Sequence, residues 1–401
     1  MLKGKTVVLG VSGSIAAYKI PNLASALKKL HADVHVIMTK NATNIINPIA
    51  FESLTGNKCM VDTFDRNFQF NIAHVALADR ADVMLVAPAS ANVIGKMAAG
   101  IADDMLTTTL MAMKCPILLS PAMNVNMFSN PILQDNLKKL EGYGIKVIQP
   151  ENGYLACGST GTGKLPSESV LLDYILREIA AKKDLAGRKL LVTAGPTREA
   201  IDPVRYISNH STGKMGYAIA KAAMLRGAEV TLVSGPVSIA APPFVNLVKI
   251  TTAQDMFQEV TQRASEQDFI IKAAAVADYT PLCVAENKIK KQDGDMSIPL
   301  GRTQDILKWL GEHRKEKQIL CGFSMETQNV LENSRAKLMK KNVDMIAANS
   351  LRESGAGFGT DTNHLTLIEA DRSTDIPMMS KEGAANRLLD RLNEIWQSRQ
   401  K

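Results

Sequence analysis

Two side chains in the first half of the chain have the chemistry to handle a small carboxylated thiol. Asn124, in Pro121-Ala122-Met123-Asn124-Val125-Asn126-Met127, carries a carboxamide that donates hydrogen bonds to a carboxylate. Cys157, in the glycine-rich stretch from Gly153 to Lys164, carries a thiol that delivers a proton near neutral pH. A third group, His74, stands ahead of Val75-Ala76-Leu77-Ala78-Asp79 at an expected helix start, where an imidazole is either an acid–base group or a structural one.

Phosphate-type signals surround these residues. Gly10-Val11-Ser12-Gly13-Ser14-Ile15-Ala16 joins an apolar run to a helical pattern. Gly13 lets the backbone approach an anion, Ser14 offers a hydroxyl, and the helix start offers free N–H groups. The spacing is not G-x-G-x-x-G, and Thr39-Lys40 rather than an acid follows the second strand, so a mononucleotide phosphate is favoured over a dinucleotide. In Pro88-Ala89-Ser90-Ala91-Asn92, Ser90 and Asn92 either cap the next helix or bind cofactor oxygens. Gly158, Gly163 and Lys164 have the spacing of a P-loop, but Leu165-Pro166 replaces the magnesium-binding hydroxyl and no apolar strand precedes. The segment reads as a glycine flap.

The second half carries a separate set. Gly195-Pro196-Thr197-Arg198 runs on to Arg205, then to Asn209-His210-Ser211-Thr212-Gly213-Lys214-Met215-Gly216, a density of small donors and cations that suits phosphate. Ala273-Ala274-Ala275-Val276-Ala277-Asp278 leaves room for a flat base or ribose, and Asp278 suits a hydroxyl or a metal ion. Lys288, within Asn287-Lys288-Ile289-Lys290-Lys291, either neutralises phosphate charge or belongs to a solvated loop. Phe323 in Gly322-Phe323-Ser324-Met325, and Lys337 with Lys341 on one helix face, complete the set.

The elements that must position these groups alternate. Strands are expected over 5–11, 33–38, 82–87, 116–120 and 145–148, with helices over 15–30, 90–98, 103–113, 130–141 and 166–182. Short apolar runs separated by amphipathic helices imply a parallel sheet covered on both faces. The pattern ends in Ala180–Arg188 and restarts, with strands near 189–194, 229–233, 268–272, 318–323, 343–347 and 364–369 and helices near 214–226, 254–265, 303–313, 327–341 and 380–398. The expected architecture is α/β: two doubly wound Rossmann-like domains, 1–184 and 185–401, with ligands beyond the carboxyl ends of the strands.

The totals agree. At 401 residues the chain is long enough for two cores. A net charge of +7 fits small phosphorylated anions better than nucleic acid, because aromatics are only 5% and no basic run is interleaved with them. Five scattered cysteines without a C-x-x-C pair argue against a disulfide framework and for a reducing cytoplasm. The start of the chain reads as a core strand rather than a signal peptide, and no apolar run spans a bilayer.

Gly13-Ser14-Ile15-Ala16, His74, Pro88-Ala89-Ser90-Ala91-Asn92, Ala98-Ala99-Gly100-Ile101-Ala102-Asp103-Asp104 and Pro121-Ala122-Met123-Asn124 together resemble the FMN-dependent cysteine decarboxylases along the whole first half. The resemblance implies that Gly13, Ser14, Ile15, Thr39, Ser90 and Asn92 hold FMN, that His74 is the base, that Asn124 grips the substrate carboxylate and that Cys157 is the proton donor. Phe128 stands where that family usually carries Trp, and Val93 where Thr is common. The second half resembles the phosphopantothenate–cysteine ligases. By that resemblance CTP lies against Ala273, Ala274, Ala275, Asp278, Lys288, Thr303-Gln304-Asp305-Ile306, Phe323, Lys337 and Lys341. Asn209 and Arg205 touch the acyl-cytidylate or phosphopantothenate, Lys288 assists activation, and Mg2+ is placed at Asp278. Ser324-Met325 replaces a common Ala-Ala pair.

Both halves in this order resemble the bifunctional enzymes of bacterial coenzyme A biosynthesis. The implied substrates are 4'-phosphopantothenate, L-cysteine and CTP, and the implied assembly is a homo-oligomer with trimeric decarboxylase and dimeric ligase domains. The first-half chemistry has a physical logic. Loss of CO2 from a cysteine carboxylate leaves a carbanion without a sink, and prior oxidation of the thiol to a thioaldehyde by flavin creates one. A flavin reductase with a nicotinamide domain would need an acid after strand 229–233, where Ser234-Gly235-Pro236 stands. A non-catalytic flavin-binding subunit would be expected to lack His74 or Cys157, and a peptide cysteine decarboxylase would not need the second half.

Overall fold

A computed structural model of the chain describes residues 1–64, 73–156, 158, 160–291, 296–326, 330–350, 357 and 359–400. They form two compact units, Met1–Ala181 and Lys182–Lys401.

The first unit is built on five parallel strands in the order Asp33–Met38, Thr6–Val11, Val83–Ala89, Ile117–Pro121, Lys146–Val147. Thr6–Val11 and Val83–Ala89 are buried at every position, as strands covered on both faces must be. The chain order reverses between these two strands, which opens a crevice beyond their carboxyl ends. Ser12 holds that crevice together. Its hydroxyl donates to the Pro88 carbonyl (2.7 Å) and accepts from the Ser90 N–H (2.8 Å).

The main sheet of the second unit has, among the described residues, eight strands in the order Asn246–Lys249, Glu229–Ser234, Lys189–Ala194, Phe269–Lys272, Ile319–Glu326, Met345–Ser350, Thr362–Ile368, Ser373–Ser380. Leu190, Val192 and Ala194 face a core shared with helices Lys214–Leu225 and Lys381–Ser398. The alternate residue Leu191 faces a core shared with Ala253–Ala264, Ile306–His313 and Val330–Lys341. Here the order reverses between Lys189–Ala194 and Phe269–Lys272.

Several elements depart from the sequence expectation. The last two strands of this sheet are antiparallel, because four residues join them and a parallel crossover needs a dozen or more. Three small hairpins also form: Glu151–Tyr154 with Thr160–Lys164, Arg198–Ala200 with Tyr206–Ser208, and Tyr279–Pro281 with Leu300–Arg302. The helix expected from 303 begins at Ile306, because the Asp305 carboxylate accepts the Lys308 N–H and caps it. Before the first strand of this unit, Asp184 takes both ends of the buried Arg226 guanidinium (2.9 and 2.5 Å), which also binds Asp390 (2.8 Å) on the last helix.

Candidate functional sites

The crevice of the first unit is a cleft of about 490 Å3. Gly13, Thr39, Ser90 and Asn92 line it. A methyl group on Gly13 would stand 2.6 Å from Asn41 Cβ, so only glycine lets the loop lie this close. Thr39 and Ser90 act as N-caps of helices Lys40–Thr43 and Ala91–Ala99, accepting from Ala42 N (3.3 Å) and Val93 N (3.5 Å). Their hydroxyls thus serve the fold and border the cleft at once. The Ser14 hydroxyl donates to the Ala122 carbonyl (3.1 Å), and the Ile15 side chain is exposed.

Lys96 and Asp104 also line the cleft, a pair the sequence reasoning passed over. Asp104 caps helix Met105–Ala112 in a capping box with Thr107, and Lys96 binds it at 3.2 Å. Desolvation works against the ionised carboxylate, but hydrogen bonds from Thr107 and Lys96 hold it below the usual carboxylate range. The D-x-x-T spacing from Asp104 to Thr107 was the readable signal.

His74 lies half-buried in the first turn of helix Ala73–Arg80. Asn124 caps the short helix Val125–Phe128, its carboxamide oxygen accepting the Asn126 N–H (2.8 Å). Among the described residues, neither lines the cleft. The glycine flap is joined to Asn124 through its neighbour: Met123 N donates to Gly163 O (3.1 Å), and Gly161 faces Val125. Lys164, the last residue of the P-loop-like spacing, closes an antiparallel hairpin 3.6 Å from Glu151 rather than opening a helix. Cys157, between the two strands of that hairpin, lies outside the described residues. Phe128 and Val93 are buried in the core.

In the second unit the crevice is a cleft of about 460 Å3. Asn209, Ala273, Ala274, Ala275, Asp278, Phe323 and Lys337 all line it. Gly213, at φ +78°, starts helix Lys214–Leu225 without a side-chain cap, and the first turn faces the cleft. A methyl on Gly216 would meet Ala194 Cβ at 2.6 Å, so glycine lets this helix start sit directly on the strand. Thr193 and Thr197 hydroxyls accept the Ala274 and Ala277 N–H groups (3.1 and 3.0 Å), and Asn209 Nδ2 donates to Ala275 O (3.0 Å). The alanine run is therefore pinned from strand Lys189–Ala194 and the segment that follows it. Ser324, in place of alanine, finds Ser334 Oγ at 2.8 Å.

Of the other expected residues, Arg205, Lys288, Thr303, Gln304, Asp305, Ile306 and Lys341 are not among those that line this cleft. The Arg205 guanidinium is held by buried Asp202 (2.9 and 2.6 Å) and donates to Ile289 O (2.7 Å). Asp202 also accepts Val204, Arg205 and Ile289 N–H groups, and its carboxyl stays well below the usual range despite desolvation. This clamp anchors the loop of Lys288, whose own side chain is exposed. Thr303 donates to Ala277 O and Asp278 O, through its hydroxyl (2.7 Å) and N–H (3.0 Å), and Gln304 is exposed. Asp305 pairs with Lys341, and Ile306 is in the core. Lys337 donates to Phe323 O (3.2 Å).

Lys272 and Asn349 also face this cleft and were missed. Lys272 ends an apolar run, Phe269-Ile270-Ile271, and so looks like an ordinary strand terminus. Desolvation pulls its ammonium down to about 8; Lys337 and Lys341 add to the fall, and Asp305 and Asp278 oppose it. Asn349 Oδ1 is buried without a hydrogen-bond partner among the described residues.

Residues 1–180 match the Flavoprotein family, and residues 185–395 match the DNA/pantothenate metabolism flavoprotein C-terminal domain. The coenzyme A biosynthesis bifunctional protein CoaBC of Bacillus subtilis (strain 168) is 47% identical over 385 residues, 95% of each chain. Its namesake from Escherichia coli (strain K12) is 41% identical over 394 residues, 98% of this chain and 97% of that one. A crystal structure of the C-terminal domain of a coenzyme A biosynthesis bifunctional protein CoaBC aligns with 54% of this chain and 100% of its own, at 41% identity and a TM-score of 0.47. With a flavoprotein half followed by its C-terminal partner, and identity sustained over nearly the full length of both relatives, the chain belongs to the family of bifunctional coenzyme A biosynthesis proteins, CoaBC.

Proposed function

We propose that the chain performs two consecutive steps of coenzyme A biosynthesis. Residues 185–401 join 4'-phosphopantothenate to L-cysteine at the expense of CTP, through an acyl-cytidylate. Residues 1–184 then decarboxylate 4'-phosphopantothenoyl-L-cysteine to 4'-phosphopantetheine with FMN. One observation carries the reading: each sheet reverses its strand order once between the strands cited above, and the two clefts at those reversals gather residues of the expected kinds.

The first cleft fits a flavin mononucleotide. Gly13 leaves the loop open to a phosphate, and Thr39, Ser90 and Asn92 border it with hydroxyl and amide groups. FMN would supply the two-electron acceptor that the thiol oxidation needs and would return the same electron pair once CO2 has left and the carbon is protonated, so that no net oxidation remains. The protein's share is to orient and protonate. Asn124 donates from its carboxamide to the substrate carboxylate, and His74 takes a proton. Cys157 returns one to the carbon that loses CO2, from a hairpin fastened to Asn124's neighbour.

In the second cleft the carboxylate of 4'-phosphopantothenate attacks the α-phosphorus of CTP, and pyrophosphate leaves. The cysteine amine then attacks the acyl carbon and CMP leaves. The alanine run seats the base or ribose, the start of helix Lys214–Leu225 receives anionic oxygens, and Asn209 orients the acyl group. Lys288 is the residue that the resemblance assigns to offset its charge. Among the described residues no group of three or more acidic, His or Cys side chains is built to hold a metal. Mg2+ would rest on Asp278 and the nucleotide phosphates, the usual division of ligands for this ion. Free thiols at Cys59, Cys115, Cys283 and Cys321 support a reducing cytoplasm, and no helix among the described residues is long and apolar enough to cross a membrane.

The test is product analysis with 4'-phosphopantothenate, cysteine, Mg2+ and CTP. The expected products are CMP, CO2 and 4'-phosphopantetheine. Cys157→Ser should release CO2 yet stop before the protonated product. Normal 4'-phosphopantetheine from that variant removes Cys157 from the donor role, and absence of any CTP-dependent product from folded, flavin-loaded protein overturns the bifunctional reading.

A further inference from the structure

The second cleft presents four lysines: Lys214, Lys272, Lys337 and Lys381. Three have partners in the fold. Lys214 binds Asp361 and Gly359 O (both 2.7 Å), Lys337 donates to Phe323 O, and Lys381 donates to Gly357 O (3.1 Å) and Thr360 O. The Lys272 ammonium makes no hydrogen bond or ion pair among the described residues. It ends the strand at the reversal point, and its nearest acids, Asp305 and Asp278, act on it only at a distance. Asp305 is already engaged by Lys341.

An ammonium held in a cleft without a counter-ion is unfavourable, and crowding it with Lys337 and Lys341 makes it more so. An anion in the cleft would offset the charge on Lys272. The uncapped first turn of helix Lys214–Leu225 lines the same cleft and asks for negative charge too. We propose that Lys272 binds the outer phosphates of the nucleoside triphosphate in this cleft, making it a binding residue for the ligase step. The inference rests on the nucleotide reading above and adds to it the group that distinguishes a triphosphate from a monophosphate.

The experiment compares wild type, Lys272→Met and Lys272→Arg by calorimetric binding of CTP and CMP, and by KM for CTP and for cysteine. Loss of one charge-assisted hydrogen bond should weaken CTP roughly ten- to a hundredfold in Lys272→Met. CMP should bind all three proteins alike, Lys272→Arg should recover much of the CTP affinity, and KM for cysteine should stay unchanged. Ligand-free Lys272→Met should melt at or above wild type, since it loses an unpaired charge. In wild type, CTP but not CMP should protect Lys272 from an amine-reactive label read by peptide mass spectrometry. Unchanged CTP affinity in Lys272→Met, a rise confined to the cysteine KM, or labelling indifferent to CTP would overturn the proposal. Failure of wild type itself to bind CTP would instead overturn the nucleotide reading, and this inference with it.

Discussion

Replacing Gly163 by alanine should separate the two activities. The Gly163 backbone lies at φ +153°, and a methyl there would stand 2.3 Å from Met123 O. Real Cβ atoms essentially never approach below 3.0 Å, so the hairpin strand must retreat by roughly 0.7–1.1 Å or twist away from the turn before Asn124. Overpacking of this kind costs about 1–3 kcal/mol. The larger effect is on chemistry, because a misplacement of about 1 Å in a reacting group costs on the order of a hundredfold in rate. CO2 release from 4'-phosphopantothenoyl-L-cysteine should therefore fall about a hundredfold. CTP-dependent CMP formation in the same sample should hold at the wild-type rate and serve as the internal control for folding of the second half. Wild-type CO2 release by Gly163→Ala would refute the claim that the Met123–Gly163 junction sets the geometry of the donor loop.

In the second half, Gly235→Ala places a methyl 1.8 Å from Pro196 O, which should displace the turn beside the alanine run and abolish CMP formation while leaving CO2 release intact. Ser12→Ala leaves the Ser90 N–H without its partner and removes one of the two hydrogen bonds to the Pro88 carbonyl, at about 1–3 kcal/mol, and should lower both the melting temperature and flavin retention on gel filtration. Asp104→Ala should cost the first half about 0.5–2 kcal/mol at neutral pH through its lost helix cap. The Asp104 carboxyl is held below its unfolded value, so its contribution is present above that value and disappears as pH falls through the folded one. The gap between wild type and variant in denaturation followed by flavin fluorescence should start to narrow below about pH 4 and vanish once the pH lies below the folded value, and a gap that does not narrow as the pH falls would exclude the ionised cap as its source.

The regular frame was legible because burial on both faces forces continuous apolar runs, and Thr6–Val11 and Val83–Ala89 carry them. What escaped was short or polar. Arg198–Ala200 and Tyr206–Ser208 are strands of three residues, too brief for alternation to register, and Ser373–Ser380 carries Pro377 within an exposed edge. Sequence could gather the cations near the second cleft but not pair them. Arg205 is bound to Asp202 three residues earlier, and Lys341 to Asp305, while Lys272 has no such partner among the described residues. Those differences arise only when distant segments meet.

Arg226 bears on how the chain should be divided for separate study. Only 5% exposed, its guanidinium is neutralised by Asp184 and Asp390, and Asn393 also reaches Asp184 (3.4 Å). Asp184 precedes the first strand of the second sheet by several residues, so a recombinant half beginning at Lys189 would discard it. That half would then bury Arg226 with one carboxylate in place of two, against the last helix that seals the core. A half beginning at Lys182 keeps the latch, and should be the more soluble and higher-melting of the two.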